Sequence, residues 1–236
     1  MGALDTPAAI SDQCPRHQPD QKDAVVTKSR RIIIAATIAA LALLGIGAWA
    51  LGQRAGGDRF AGCTQGAAGG GMESFGGPFT LTDENGKRVT DREVFTKPTL
   101  LYFGYTFCPD VCPMDGARNA QAVDLLKEAG HDVGTVFVTV DPKRDTPEAL
   151  RDFTDALHPN MLGLTGSPEE IAAVNKQWRN YFKAHDDGDP YYLVDHMTNT
   201  FLVLPDAGTV EFFTREVTPE DMASRVACFV KADRKI

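Results

Sequence analysis

The sequence predicts a mixed α/β sandwich, and three observations point to it. Two continuous apolar runs of strand length, PTLLYFGYT (98–106) and GTVFVTVDP (134–142), read as strands covered on both faces. Segments with apolar residues at helical spacing and clear N-terminal caps stand between and after them. The chain closes on a strand, turn, strand and helix.

The elements follow one another closely from Pro78. PFTLTDENGKRVTD holds two short strand-like runs around Asn85-Gly86, a strong hairpin signal. The first buried strand leads to a helix over Met114–Ala129, with Ala117, Ala120, Val123, Leu125 and Leu126 at helical spacing and Gly130 to end it. After the second buried strand, Thr146 reads as an N-cap with Pro147 at the first helical position, and Phe153 and Leu157 repeat four apart. MLGLT (161–165) is a short strand. Ser167 and Glu170 form a capping box for the next helix. TNTFLVLP and TVEFFT, joined through Asp206-Ala207-Gly208, make an antiparallel hairpin. A helix capped by Thr218 ends the chain. Without the leading hairpin the order is β-α-β-α-β-α-β-β-α, which suggests a thioredoxin-like sandwich carrying an added N-terminal hairpin. The compact domain is expected over 78–236.

Three segments precede it. Residues 1–31 are mostly polar, without period, and read as a disordered tail. Ile32 to Leu51 carries no charge over twenty residues, and about 20 apolar residues span a bilayer core. It reads as a retained transmembrane anchor, since a cleaved signal has an apolar core of only about 7–15 residues. Ala48-Trp49-Ala50 (a cleavage-like site), Arg30-Arg31 (a twin-arginine start) and Cys63 (a lipidation site) support rival readings less well. Lys28, Arg30 and Arg31 at the near end place the N-terminus in the cytoplasm and the rest across the membrane. Residues 52–77 are glycine-rich and read as a flexible tether.

Net charge is −8, with no basic stripe bearing interleaved aromatics. That pattern speaks against nucleic-acid binding. Five cysteines stand at 14, 63, 108, 112 and 228. All but Cys14 would face an exported, oxidising compartment. Cys63 and Cys228 either form a disulfide or remain as a free and a buried thiol.

The chemistry concentrates in FGYTFCPDVCP (103–113). Cys108 falls in the loop after the first buried strand, and Cys112 falls near the following helix start, where a thiolate is favoured. Three residues separate them, against two in thioredoxin-type motifs. Residues four apart on a helix have Cβ atoms about 5–6 Å apart, wider than the ~3.5–4.5 Å of a disulfide. A metal with bonds to sulfur near 2.3 Å spans that gap. The spacing tilts toward metal, with redox cycling still available. Among the histidines, His17, His131, His158 and His185 read as surface residues. His196, in YYLVDHMTNTFLV, sits between an apolar run and a strand and is the candidate third ligand. Asp110 and Asp195 are candidate supporting carboxylates. Met114 and Met197 read as packing residues more than as soft ligands. Asp141, Arg144 and Asp145 of DPKRDT read as a helix-start cluster.

FGYTFCPDVCP, VTVDPKRDTPEAL and YLVDHMT, in this order, resemble the Sco/SenC family of membrane-anchored copper proteins. The resemblance covers roughly residues 76–230. It implies a thioredoxin-like fold and a copper site of Cys108, Cys112 and His196. It also implies a role in assembling the binuclear copper centre of cytochrome c oxidase. Two thiolates and an imidazole suit Cu(I); Cu(II) would recruit a further oxygen ligand, with Asp110 the nearest candidate. Partners so implied are a copper-accepting oxidase subunit, an upstream copper donor and the membrane through Ile32–Leu51. The alternative is a thiol–disulfide oxidoreductase in which Cys108 and Cys112 act as the redox pair and reduce the cysteines of that copper site. A peroxidase gains little from this spacing. No Arg/Ser-rich, acid-poor transit peptide opens the chain, so the expected location is a bacterial inner membrane with the domain in the periplasm.

Overall fold

A computed structural model of the chain describes residues 59–64 and 72–233, with isolated positions 41 and 45. The chain divides into two units, Met1–Gly57 and Asp58–Ile236, and the description concerns the second. But for those two positions, the tail expected over 1–31 and the anchor expected over 32–51 lie outside the described residues. Among the described residues no helix is long and apolar enough to cross a membrane.

Nine strands and five α-helices, after a short 3-10 turn at Met72–Ser74, follow in the described residues. They are β1 (Thr80–Asp83), β2 (Arg88–Thr90), α1 (Asp91–Val94), β3 (Thr99–Gly104), α2 (Val111–Glu128) and β4 (Gly134–Thr139). Then come α3 (Pro147–Leu157), β5 (Met161–Thr165), α4 (Pro168–Gln177), β6 (Phe182–Ala184) and β7 (Val194–His196). The chain closes with β8 (Thr200–Leu204), β9 (Gly208–Phe213) and α5 (Pro219–Asp233). Seven strands form one sheet in the order β2-β1-β5-β4-β3-β8-β9. β3, β4 and β5 are parallel; β8 and β9 run antiparallel on one side and the β1–β2 hairpin on the other. This is the expected thioredoxin-like order.

The local rules that predicted the elements operate in it. Gly86 takes φ +80° in the first hairpin turn, a conformation glycine adopts without a Cβ penalty. Thr146 accepts from the Ala149 amide, the Ser167/Glu170 capping box is closed from both sides, and Thr218 accepts from the Asp221 amide. β3 reads as an unbroken apolar run because all its residues are buried. Its side chains divide between two cores. Leu100 packs with Val123 and Leu126 of α2 and with Met222, Val226 and Phe229 of α5. Leu101 and Phe103 pack with Phe201, Val174 and Trp178.

Three features go beyond the expectation. α2 begins at Val111, three residues before Met114, so both Cys112 and Pro113 lie in its first turn. β6 and β7 pair as a separate two-stranded sheet with Phe182 opposite His196. Pieces of the segment read as a tether rest on the domain: Cys63 is disulfide-bonded to Cys228, the Phe60 ring meets Phe229 at 5.3 Å, and Arg59 pairs with Asp233 at 3.2 Å. Gly76 donates its amide to the Gln177 carbonyl.

Candidate metal centre

Cys108 and Cys112 lie where β3 ends and α2 begins, at the carboxyl end of a central parallel strand, the usual place for a site in an open α/β sheet. His196 arrives from β7. The sulfurs of Cys108 and Cys112 and a ring nitrogen of His196 lie within 4.8 Å of one another. Both cysteines are free thiols and buried; His196 is partly exposed. Among the described residues this is the one group of three such side chains placed to hold a metal.

The start of α2 explains the poise of Cys108. Asp110 occupies the N-cap position, yet its carboxylate makes no capping bond. The sulfur of Cys108 takes that place: it accepts from the Cys112 amide at 3.3 Å and from the Asp110 amide. An anion at a helix N-terminus is stabilised by the free amides and the dipole. With the Cys112 thiol donating to it, and helped by these amides against the cost of burial, the Cys108 thiol is pulled down to about 3. Cys112 moves the opposite way. Its hydrogen bond to Cys108, together with burial, raises it far above a free thiol. The expectation that the helix start favours the Cys112 thiolate is therefore corrected: the amide of the first turn is directed at the Cys108 sulfur, and it is a Cys108 thiolate that the helix start favours.

His196 is oriented by the backbone. Nδ1–H donates to the Met197 carbonyl at 2.8 Å, which leaves the lone pair on Nε2. Nε2 faces the Cys112 sulfur at 3.3 Å. Tyr102 and Tyr105 stand edge-on to the imidazole, at 6.2 and 5.8 Å between centroids. The Tyr102 hydroxyl donates to buried Asp115 at 3.0 Å. Asp195 does not support His196. Side chains alternate along a strand, and its carboxylate pairs with His185 at 2.7 Å. Asp110 contributes its amide, not its carboxylate.

Arg144 ties the two ligand-bearing loops together. Its guanidinium lies 3.6 Å from the Tyr192 ring centroid and 4.7 Å from that of Phe107, beside Cys108. It also donates to the Pro190 carbonyl at 3.1 Å and pairs with Asp141, which accepts from the Tyr192 hydroxyl at 2.8 Å. The DPKRDT cluster thus reaches the site as well as the helix start. Asp145 of the same cluster is buried and accepts from Thr106 and Thr139. Two other expectations change. Met114 (60% exposed) and Met197 (38% exposed) are surface residues rather than packing residues. His131 and His158 are buried, not superficial, and His158 lies 3.3 Å from Asp124.

The donor set fits a soft metal ion. Bonds of about 2.3 Å to sulfur and about 2.0 Å to nitrogen place three ligand atoms around one ion roughly 3.5–4 Å apart, inside the observed spread. A thioredoxin-like sheet with two thiols and an imidazole gathered at a strand end defines a class of α/β protein whose site joins metal-binding and thiol chemistry. The chain belongs to the SCO1/SenC family, whose model matches residues 67–231. It is 50% identical over 204 residues to Protein SenC of Rhodobacter capsulatus, covering 86% of this chain and 92% of that one. Among solved structures it resembles Arabidopsis thaliana ScoI with copper bound (TM-score 0.63, 40% identity, 69% of this chain and 99% of that one). Bradyrhizobium japonicum ScoI with copper bound gives TM-score 0.60 and 39% identity over 65% and 98% of the two chains. BsSco, described as a member of the Sco family of cytochrome c oxidase assembly proteins with a disulfide switch, gives TM-score 0.54 and 26% identity over 66% and 93%.

Proposed function

We propose that this chain is a membrane-anchored copper protein that serves assembly of the binuclear copper centre of cytochrome c oxidase. In this reading Cys108, Cys112 and His196 bind copper and pass it to a copper-accepting oxidase subunit after receiving it from an upstream donor. The observation that carries the reading is the gathering of two sulfurs and one imidazole nitrogen within 4.8 Å. Two thiolates and one imidazole suit Cu(I); Cu(II) would add an oxygen ligand. The copper-bound relatives support it. Ile32–Leu51 would hold the chain in a bacterial inner membrane, with residues 1–31 cytoplasmic and the domain periplasmic.

Each ligand has a distinct part. Cys108 offers a preformed thiolate. Cys112 must shed its proton to bind, and His196 presents Nε2 without rearrangement because Met197 holds the opposite nitrogen. A site at the strand end with one partly exposed ligand can exchange donors one at a time with a partner.

The hydrogen-bonded pair of Cys108 and Cys112 favours a second reading: a thiol–disulfide reductase for the cysteines of the oxidase copper site. Here the Cys108 thiolate attacks a partner disulfide, and Cys112 then displaces the partner thiolate to close the Cys108–Cys112 bond. Copper stoichiometry of the full chain in detergent separates the readings, measured with Cys14→Ser as background and with and without His196→Ala. One tightly held copper that depends on His196 supports the first. No specific copper, with ready disulfide exchange, supports the second.

A further inference from the structure

Among the described residues of the domain, the large apolar side chains left exposed are Phe107, Met114, Tyr181, Tyr191, Leu193 and Met197. All belong to the two segments that carry Cys108, Cys112 and His196. Exposed apolar residues scattered singly are ordinary, but a gathering of them marks a site of interaction. Phe107 precedes Cys108, Met114 stands two residues past Cys112, and Met197 follows His196. Tyr191 is 77% exposed.

The small β6–β7 sheet explains the outward set. Side chains alternate between the faces of a strand. Val194 is buried and His196 turns to Cys112, so Leu193, Asp195 and Met197 take the outer face. The Met197 amide donates to the Tyr181 carbonyl at 3.1 Å, which sets Tyr181 opposite Met197. Arg144 joins the remaining pair: it lies over Phe107 and bonds the carbonyl of Pro190, the residue before Tyr191. Because the three ligand atoms lie within 4.8 Å of one another, both segments present these side chains about one point.

The charge among them is negative. Residues 107–114 and 181–197 hold Asp110, Asp186, Asp187, Asp189 and Asp195 against one lysine, Lys183. All these aspartates are exposed. Asp186 pairs with Lys143 and Asp195 with His185. Asp187 and Asp189 accept from backbone amides of their own loop. A second copy of the chain would set these carboxylates against one another, and an anionic lipid surface would repel them. A cationic protein surface is drawn to them.

We propose that these apolar side chains form one docking surface, and that its partner is a protein face with an apolar centre and a rim of lysine or arginine. The proposal rests on the copper reading for its purpose: a partner so held is brought to His196, the partly exposed ligand.

Binding of ferrous cytochrome c, a basic protein whose apolar haem edge is ringed by lysines, tests it on the copper-free, reduced full chain in uncharged detergent. The expected result is saturable binding at low salt that weakens as salt rises. Tyr191→Ser with Leu193→Ser should weaken it more than about tenfold. Asp187→Asn with Asp189→Asn should weaken it about fivefold and flatten its salt dependence. Glu128→Gln with Asp206→Asn removes as much charge at the opposite pole, since Glu128 ends α2 and Asp206 follows β8, antiparallel to β3. That pair should change binding less than about twofold. Cytochrome c with acetylated lysines should not bind. Absent saturable binding, equal binding by Tyr191→Ser with Leu193→Ser or by the acetylated protein, or equal loss from both charge pairs overturns the proposal. Copper stoichiometry on the same variants keeps the two readings apart. A chain that holds copper through His196 but does not bind cytochrome c loses only the docking surface. One that binds cytochrome c but no copper keeps the surface and loses the copper reading.

Discussion

Nε2 of His196 stands 3.3 Å from the sulfur of Cys112 although 84 residues separate them in the chain. The pairing depends on the small β6–β7 sheet and on the Met197 carbonyl that holds the other ring nitrogen. Removing the ring should therefore remove a ligand without removing a core residue. His196→Ala is expected to weaken Cu(I) retention by more than about 100-fold, since even losing the orienting partner of a metal-bound histidine costs about 10–100-fold. Competition with a Cu(I) chelator measures it. Circular dichroism should remain that of the folded domain.

Asp195→Asn is expected to change Cu(I) retention by less than about threefold, because a carboxylate turned toward His185 has no part in orienting His196. The same chelator competition checks it. A loss as large as that in His196→Ala would return Asp195 to the site.

The Cys108 thiol gives the metal-free protein a pH signature. Its folded value of about 3 lies below the unfolded reference of 9.0. A depressed acid contributes stability that is complete above the unfolded value and is lost as pH falls toward the folded one. The stability difference between wild type and Cys108→Ser should therefore shrink steadily from pH 9 toward pH 4. Cys112, raised by Cys108 and burial, has the opposite sign and acts only above pH 9. Urea titrations of reduced protein at pH 5 and pH 8 test this. Alkylation of Cys108 should likewise persist at pH 5, where an ordinary thiol is unreactive.

Arg144→Leu should destabilise the domain by about 2–4 kcal/mol, because it leaves buried Asp141 without its cation and unstacks Tyr192. Copper affinity should fall with it, since Phe107 and Pro190 lose their common contact. Arg144→Lys should rescue little, as an ammonium lacks the planar fork that stacks and bonds at once. Denaturant unfolding and chelator competition on both variants decide it.

Cys63→Ser should lower stability by about 2–5 kcal/mol, the range typical of losing a native disulfide. The bridge spans a sequence separation of 165. Denaturant unfolding with and without reductant checks it; wild type plus reductant should approach the variant.

Much of the fold was legible because local chemistry dictated it. Asn85-Gly86, Thr146-Pro147 and the Ser167/Glu170 box each specify a turn or helix start within a few residues, and the fully buried β3 shows as an unbroken apolar run. Cys108, Cys112 and His196 were legible as a set from their motifs. What stayed hidden was set by the backbone or by distant partners. β6 and β7 have three residues each, too few to show a period. The Met197 carbonyl that orients His196 belongs to any residue at that position, so no side chain announces it. Which cysteine carries the negative charge depends on the backbone around Asp110, which turns both amides toward Cys108. Arg144 was visible only as part of a helix start, because Phe107, Pro190 and Tyr192 come from other parts of the chain.

The bond between Cys63 and Cys228 has a consequence for the life of the protein outside the test tube. Any single protease cut between those two residues leaves the fragments covalently joined. A nick in an exposed loop, such as the acidic stretch around Gly188, would not by itself shed the domain from whatever precedes residue 63. Release would need reduction as well as cleavage, so a nicked chain should migrate as one band until a reductant is added.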